Sequence, residues 1–162
     1  MTISTTSYVD IYDLFMEITR DYRLISLYQD DIANSTSNLN IMLQGWLRLG
    51  IGDFVKVCDQ DLTDRDDSTE VFNFVMNDTN KSLLAKFIKK YWLQQEVHDI
   101  AQMRNKVQDA YHTYSESQNV KAKSDLLTKV EEELSQDLID YSYGDKDMWQ
   151  YWITNGFTTL QP

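Results

Sequence analysis

Residues 59–70, DQDLTDRDDSTE, hold the densest set of oxygen donors in the chain. Asp59, Asp61, Thr63, Arg65, Asp67 and Glu70 fall at positions 1, 3, 5, 7, 9 and 12 of a calcium-loop template, whose chemistry is a ring of carboxylates and carbonyls around a hard cation. The pattern fails where the turn must be sharp. Asp64 stands at the sixth position in place of glycine, and Asp66 stands at the eighth in place of an apolar residue. The stretch therefore reads as a solvated acidic loop. Of the two histidines, His98 lies beside Asp99 and close to Glu96, but no HExxH spacing or second nearby histidine accompanies it, and His112 stands alone. Both read as surface or interhelix residues. Cys58 continues an apolar stripe and reads as a buried, inert thiol. No nucleophile elbow, phosphate-cradling glycine loop or dinucleotide fingerprint is present. Neither catalysis nor a cofactor or metal is expected.

The most concentrated recognition chemistry is aromatic. In YSYGDKDMWQYW, residues 141–152, five of twelve side chains are aromatic: Tyr141, Tyr143, Trp149, Tyr151 and Trp152. Tryptophan and tyrosine dominate binding hot spots, so these five are the candidate partner-docking residues. Either they fold back on their own chain or they dock on another. By contrast, Trp46 and Trp92 sit at helical core spacing.

The elements that must position these residues are mostly helical. The chain has 162 residues, five glycines and one proline, Pro162, so nothing interrupts long helices. Residues 9–28 carry Ile11, Leu14, Phe15, Ile18, Tyr22 and Ile25 on one helical face, with Asp10 as the expected N-cap. A loop is expected from about Asp30. A second helix should run from Ser37 to about Asp59 through Leu39, Leu43, Trp46, Leu47, Phe54, Val57 and Cys58, with a kink expected near Gly50–Gly52 and a close neighbour allowed by its glycines. VFNFV, 71–75, reads as a short strand. Asn77, Asp78 and Thr79 offer caps for the strongest helix, through Leu83, Leu84, Phe87, Ile88, Tyr91 and Trp92 toward Val107. HTYSESQN, 112–119, reads as a polar joint before an amphipathic helix from Val120 to Ile139. The expected architecture is mainly α: a single-domain helical bundle of about four principal helices over residues 1–140, room for one short strand, and an extended aromatic C-terminal tail over 141–162.

Composition bounds the function. At 42% hydrophobic and 25% charged the chain reads as globular, and it contains no run of about 18 apolar residues to span a membrane. Its start, MTISTTSYVDIYD, does not read as a secretory signal, and a single cysteine fits a reducing compartment. A net charge of −11 argues against a primary grip on phosphates, though an acidic wall suits a place where DNA must pass without sticking.

The order of elements carries a resemblance. From Phe72 to Tyr143 the chain runs through a polar helix start, a long helix containing KKYWLQQEVHDIAQM, the joint DAYHTYSESQN, and a helix closing on LIDYSY. Upstream stand IYDLFMEI and LQGWLRLGIGDFVKVCDQDL, which includes Phe54, Cys58, Asp61 and Leu62. This succession, over residues 10–145, resembles the small helical neck proteins of long-tailed bacteriophages, adaptors or connectors at the head–tail junction. The resemblance implies a virion component, made in the host cytoplasm, that forms a homo-oligomeric ring of twelve copies between the portal protein and the tail. DNA would pass through the lumen, and Tyr141, Tyr143, Trp149, Tyr151 and Trp152 would dock on a neighbour or the portal. A second reading is a small acidic inhibitor that mimics DNA and occupies a host nucleic-acid enzyme.

Overall fold

The computed structural model describes residues 5–32, 38–106 and 113–144. The fold is mainly helical, with five helices and a small three-stranded antiparallel sheet. β1 (Thr6–Ser7) leads directly into α1 (Tyr8–Thr19), followed by α2 (Tyr22–Ile32) and α3 (Asn38–Phe54). β2 (Arg65–Asp66) and β3 (Val71–Phe72) precede the two long helices α4 (Asp78–Lys106) and α5 (Thr113–Gly144).

α4 is the centre of the molecule. Leu83, Leu84, Ala85, Phe87, Ile88 and Leu93 are all buried, and these positions fall around the helix and not along one stripe. A helix that is apolar on several sides must be enclosed. α1, α3 and α5 each pack on α4. Ile11, Tyr12, Phe15 and Met16 come from α1; Leu43, Trp46, Leu47, Ile51 and Phe54 come from α3; Val130 and Leu134 come from α5. Phe15 makes edge contacts with both Trp46 and Trp92, at centroid distances of 6.3 Å each, so the two expected core tryptophans meet around one phenylalanine. Where α3 crosses α4, a Cβ on Gly50 would stand 2.8 Å from the Cβ of Phe87. Gly50 therefore sets the distance between these helices, and α3 runs through 50–52 without breaking.

Several boundaries differ from the sequence reading, each for a local reason. The expected helix 9–28 is two helices. Arg20 adopts a left-handed conformation (φ 53°) with its N–H on the Met16 carbonyl, and the Asp21 carboxylate accepts the Leu24 N–H to start α2. Ser7, not Asp10, caps α1, accepting the Val9 N–H at 3.3 Å. α3 ends at Phe54 instead of Asp59, the Phe54 carbonyl accepting the N–H groups of both Val57 and Cys58 in tight turns. The expected strand at 71–75 is β3, but the sequence reading lacked its partners. Thr6 and Ser7 pair with Phe72 and Val71 on one side, and Arg65 and Asp66 pair with the same two residues on the other. The polar joint at 113–119 is helical, because it contains no glycine or proline to stop α5. The same helix continues past Asp140, so residues 141–144 are its last turn and not the start of an extended tail; Gly144 is the first residue suited to end it.

Gly50→Ala should lower stability by about 1–3 kcal/mol, the usual cost of overpacking a close contact, measured by urea unfolding. An unchanged or raised midpoint would show that α3 and α4 separate at no cost.

Candidate interaction surface

The acidic stretch does not gather its oxygens. The Asp61 carboxylate accepts the Thr63 N–H at 3.0 Å, and the Asp66 carboxylate accepts the Ser68 N–H at 2.8 Å; both are local turns. Asp67 receives the Tyr8 hydroxyl at 2.6 Å and the Nε atoms of Arg65 and Arg48 at 3.1 and 3.2 Å. Glu70, at φ 56°, turns away from the loop. Its carboxylate accepts Asn40 Nδ2 at 2.8 Å and Gln44 Nε2 at 2.7 Å on α3, while its carbonyl accepts the Tyr8 N–H at 2.9 Å. Among the described residues no group of three or more His, Cys, Asp or Glu side chains could hold a metal ion. Asp67 and Glu70 fasten the loop to α1 and α3, and Asp59 fastens it to α4 and α5.

Four tyrosine–aspartate pairs recur across the body: Tyr8 with Asp67, Tyr28 with Asp13, Tyr91 with Asp53, and Tyr141 with Asp59. Burial, and then the neighbouring carboxylate, raises all four phenols, Tyr91 to about 12. Asp53, Asp59 and Asp67 move the other way. The Asn80 amide and then the Tyr141 hydroxyl hold Asp59 low; the Tyr8 hydroxyl holds Asp67 low. Burial opposes the ionisation of Asp53, but bonds from Tyr91 and Lys90 outweigh it. In the pairs of Asp53, Asp59 and Asp67 the bond is strongest with the phenol protonated and the acid ionised.

The docking candidates separate. Tyr141 belongs to its own core: its ring lies edge-on to Phe54 at 5.4 Å, and its hydroxyl donates to Asp59 and accepts the Asp59 N–H at 2.9 Å. Its position in a helical last turn, above the end of α3, removes it from any free tail. Tyr143, two residues on, is 60% exposed. Trp149, Tyr151 and Trp152 lie outside the described residues, as does His112; His98 is on the exposed side of α4. Cys58 is half-buried beneath Tyr141, whose hydroxyl is 3.9 Å from Sγ, and burial pushes the thiol up.

Two surface features frame the end of α5. The first is an open groove of about 760 Å³ between the start of α4 and the end of α5, crossed by the Lys86–Asp137 ion pair and bounded by Asp59, Asp78 and Asp140. Among the described residues its lining holds no histidine, and its hydroxyls, Thr79, Ser82 and Tyr141, share it with the carboxylates of Asp59, Asp78, Asp137 and Asp140. The second was missed in the sequence. The outer face of α3 exposes Ile41 (67%) and Leu49 (52%), with Gly45 between them and Gly52 beyond Leu49, and nothing among the described residues within 4 Å of where a Cβ would stand at either glycine. The signal was available as the spacing of 41, 45, 49 and 52, but it was masked by the stronger inward stripe of the same helix.

Comparisons with protein-family models, curated proteins and solved structures find no match to this chain.

The four pairs fix the pH response. Depressed carboxylates contribute stability that is present above their unfolded value, about 3.9, and lost as pH falls through the lower folded value. Raised phenols contribute stability that is present below about 10 and lost as pH rises through the folded value. Thermal midpoints should therefore form a plateau from about pH 5 to 9 and fall on both sides. Tyr141→Phe should cost about 0.5–1.5 kcal/mol on the plateau and shrink the alkaline fall. A midpoint that keeps rising above pH 10 would contradict the pairing.

Proposed function

We propose that this protein is a structural subunit of the head–tail junction of a tailed bacteriophage, forming a ring that joins the portal to the tail and lets DNA through. The observation that carries the reading is the way α5 ends. Tyr141 is clamped to the body while exposed Tyr143 sits at the rim, so a rigid helix delivers the aromatic segment that follows to one defined point on the surface. Tyr143, Trp149, Tyr151 and Trp152 are then the docking residues toward a neighbouring subunit or the portal, and Tyr141 positions them. An aromatic segment that orders on contact adds buried area without a large preformed surface. The charge of −11 suits a ring whose wall must not hold the DNA it surrounds.

The inhibitor reading needs a continuous acidic stripe. Lys86, Lys90, Lys123 and Lys129 are paired with Asp137, Asp53, Glu96 and Glu133 of the same chain, and these pairs cut the acidic surface into patches. This favours assembly over mimicry.

The test is light scattering on a sizing column, followed by electron microscopy of mixtures with portal particles. The expected result is a ring, or addition to portals in fixed stoichiometry. The chain truncated after Gly144 should keep its helical signal and fail to add. A protein that ignores portals and binds a host nuclease or polymerase would overturn the proposal.

A further inference from the structure

α5 is the longest of the described helices and has the least apolar hold for its length. Among the described residues it buries only Val130 and Leu134 in 32 positions, whereas α1 buries five side chains in 12. Leu138 and Tyr141 add partly buried contacts. α4 is its one substantial neighbour among the described elements, and open space flanks the seam on both sides. On one side lies the groove crossed by Lys86 and Asp137; on the other, a hollow of about 410 Å³ lies between Leu134, Leu138, Phe87 and Asp53. Further fastenings are polar and reached by water: Lys86 on Asp137, Gln94 on Glu131, and Lys123 on Glu96. Breaking these returns each partner to solvent, so little is lost beyond the apolar contacts. One catch holds the C-terminal end, the Tyr141 ring on Phe54 with its hydroxyl on Asp59.

We infer that α5 is a latch: it undocks from its C-terminal end as a unit, with Tyr141 as the catch, while α1, α3 and α4 stay packed. Helices with few buried apolar contacts open at the low end of a protein's stability range. The seat of the catch does not depend on Tyr141. Asn80 donates to Asp59 and Gln60 at 2.8 Å each. Gln60 in turn accepts the Asn77 N–H at 3.0 Å and donates to the Val75 carbonyl at 2.9 Å. The turn after α3 therefore keeps its shape when the phenol leaves. The body is equally independent, since Phe15, Trp46 and Trp92 join α1, α3 and α4 without a ring from α5. Closed, the latch covers Phe54 and stands over the Cys58 thiol, 3.9 Å from the Tyr141 hydroxyl; open, it bares both. The closed form is the one the ring proposal uses, but a chain that never meets a portal would open in the same way.

The experiment reads Cys58, the only cysteine of the full chain, by its rate of reaction with dithiobis(nitrobenzoate), at reagent concentrations where rate is proportional to reagent. Tyr141→Phe should speed labelling about threefold to tenfold, the worth of one hydrogen bond. The substitution also removes a bond that favours the thiolate, which alone would slow the reaction, so acceleration reports opening. Ile11→Val, buried in α1, weakens the whole fold by a comparable amount but should leave the rate unchanged, because the open form keeps that packing. In hydrogen exchange, amides 130–143 should open together, faster than those of 83–93, and respond to Tyr141→Phe but not to Ile11→Val. Labelling that speeds equally in both variants would show that Cys58 is reached only through global unfolding, and would overturn the latch. Labelling indifferent to Tyr141→Phe, or α5 amides that exchange only together with those of α4, would overturn it as well. Ring assembly is scored separately by light scattering, so either proposal can fail alone.

Discussion

The fold depends on the first half of α4 having no face of its own to give to water. Leu83, Leu84, Phe87, Ile88 and Leu93 point in different directions, and no two-layer arrangement would cover them. Three helices are needed at once, and the connections follow from that need. α1 and α3 flank α4, held at the far end by the Trp46 indole N–H on Gln95 at 3.1 Å, and at the near end by Phe54 against Phe87. α5 closes the third side. From Gln94 onward the contacts between α4 and α5 turn polar, with Gln94 on Glu131 and Lys123 on Glu96. Apolar burial sets the body; hydrogen bonds and ion pairs carry the hairpin beyond it.

An acidic chain must also place its carboxylates without gathering repulsion. Here they are spent as acceptors. Phenols are suited to this, since they donate a hydrogen bond without adding charge and bring an apolar ring to the same spot. Each of the four pairs ties a helix to a different element: α1 to the loop before β3, α2 to α1, α4 to α3, and α5 to the turn after α3. The start of α4 is tied in the same manner. Asn77 accepts the Asn80 N–H at 2.7 Å, and the buried Asn80 amide donates to Asp59 and Gln60 at 2.8 Å each. Asp59 is thus shared between α4 and α5.

The sequence made the inward stripes readable because apolar spacing alone determines them. Leu39, Leu43, Trp46, Leu47 and Phe54 are buried as their spacing requires, and Asn77 caps α4 as its type suggests, whereas Ile18, Tyr22 and Val57, spaced onto the same expected faces, are exposed because the helices break at Arg20 and Phe54. What it hid were features decided by distant partners. Nothing local in Thr6 and Ser7 announces a strand; their pairing exists because Val71 and Phe72 lie alongside. Polar residues at 113–119 looked like a joint because composition was weighed above the absence of a helix breaker. Nothing local marked the break between α1 and α2, where Arg20 adopts a left-handed turn and Asp21 caps the next helix. For the docking residues, aromatic type was legible but assignment was not. Tyr141 and Tyr143 are two residues apart on one helix, and only the fold puts one on Phe54 and the other in water.

Thr6 has a consequence for the order in which the chain can fold. Its single hydroxyl donates to the Phe74 carbonyl at 3.0 Å and accepts the Met76 N–H at 2.8 Å, joining residues about seventy positions apart. Closing a loop of that length costs on the order of 4 kcal/mol of chain entropy, which two hydrogen bonds alone do not offset. The burial of Tyr8 and Phe72 against each other must supply the remainder. During synthesis the first strand therefore has no mate until more than seventy residues have been made. The α4–α5 pairing, bridged by a short connection, faces no such delay. The beginning of this chain thus waits for its middle before it can fold.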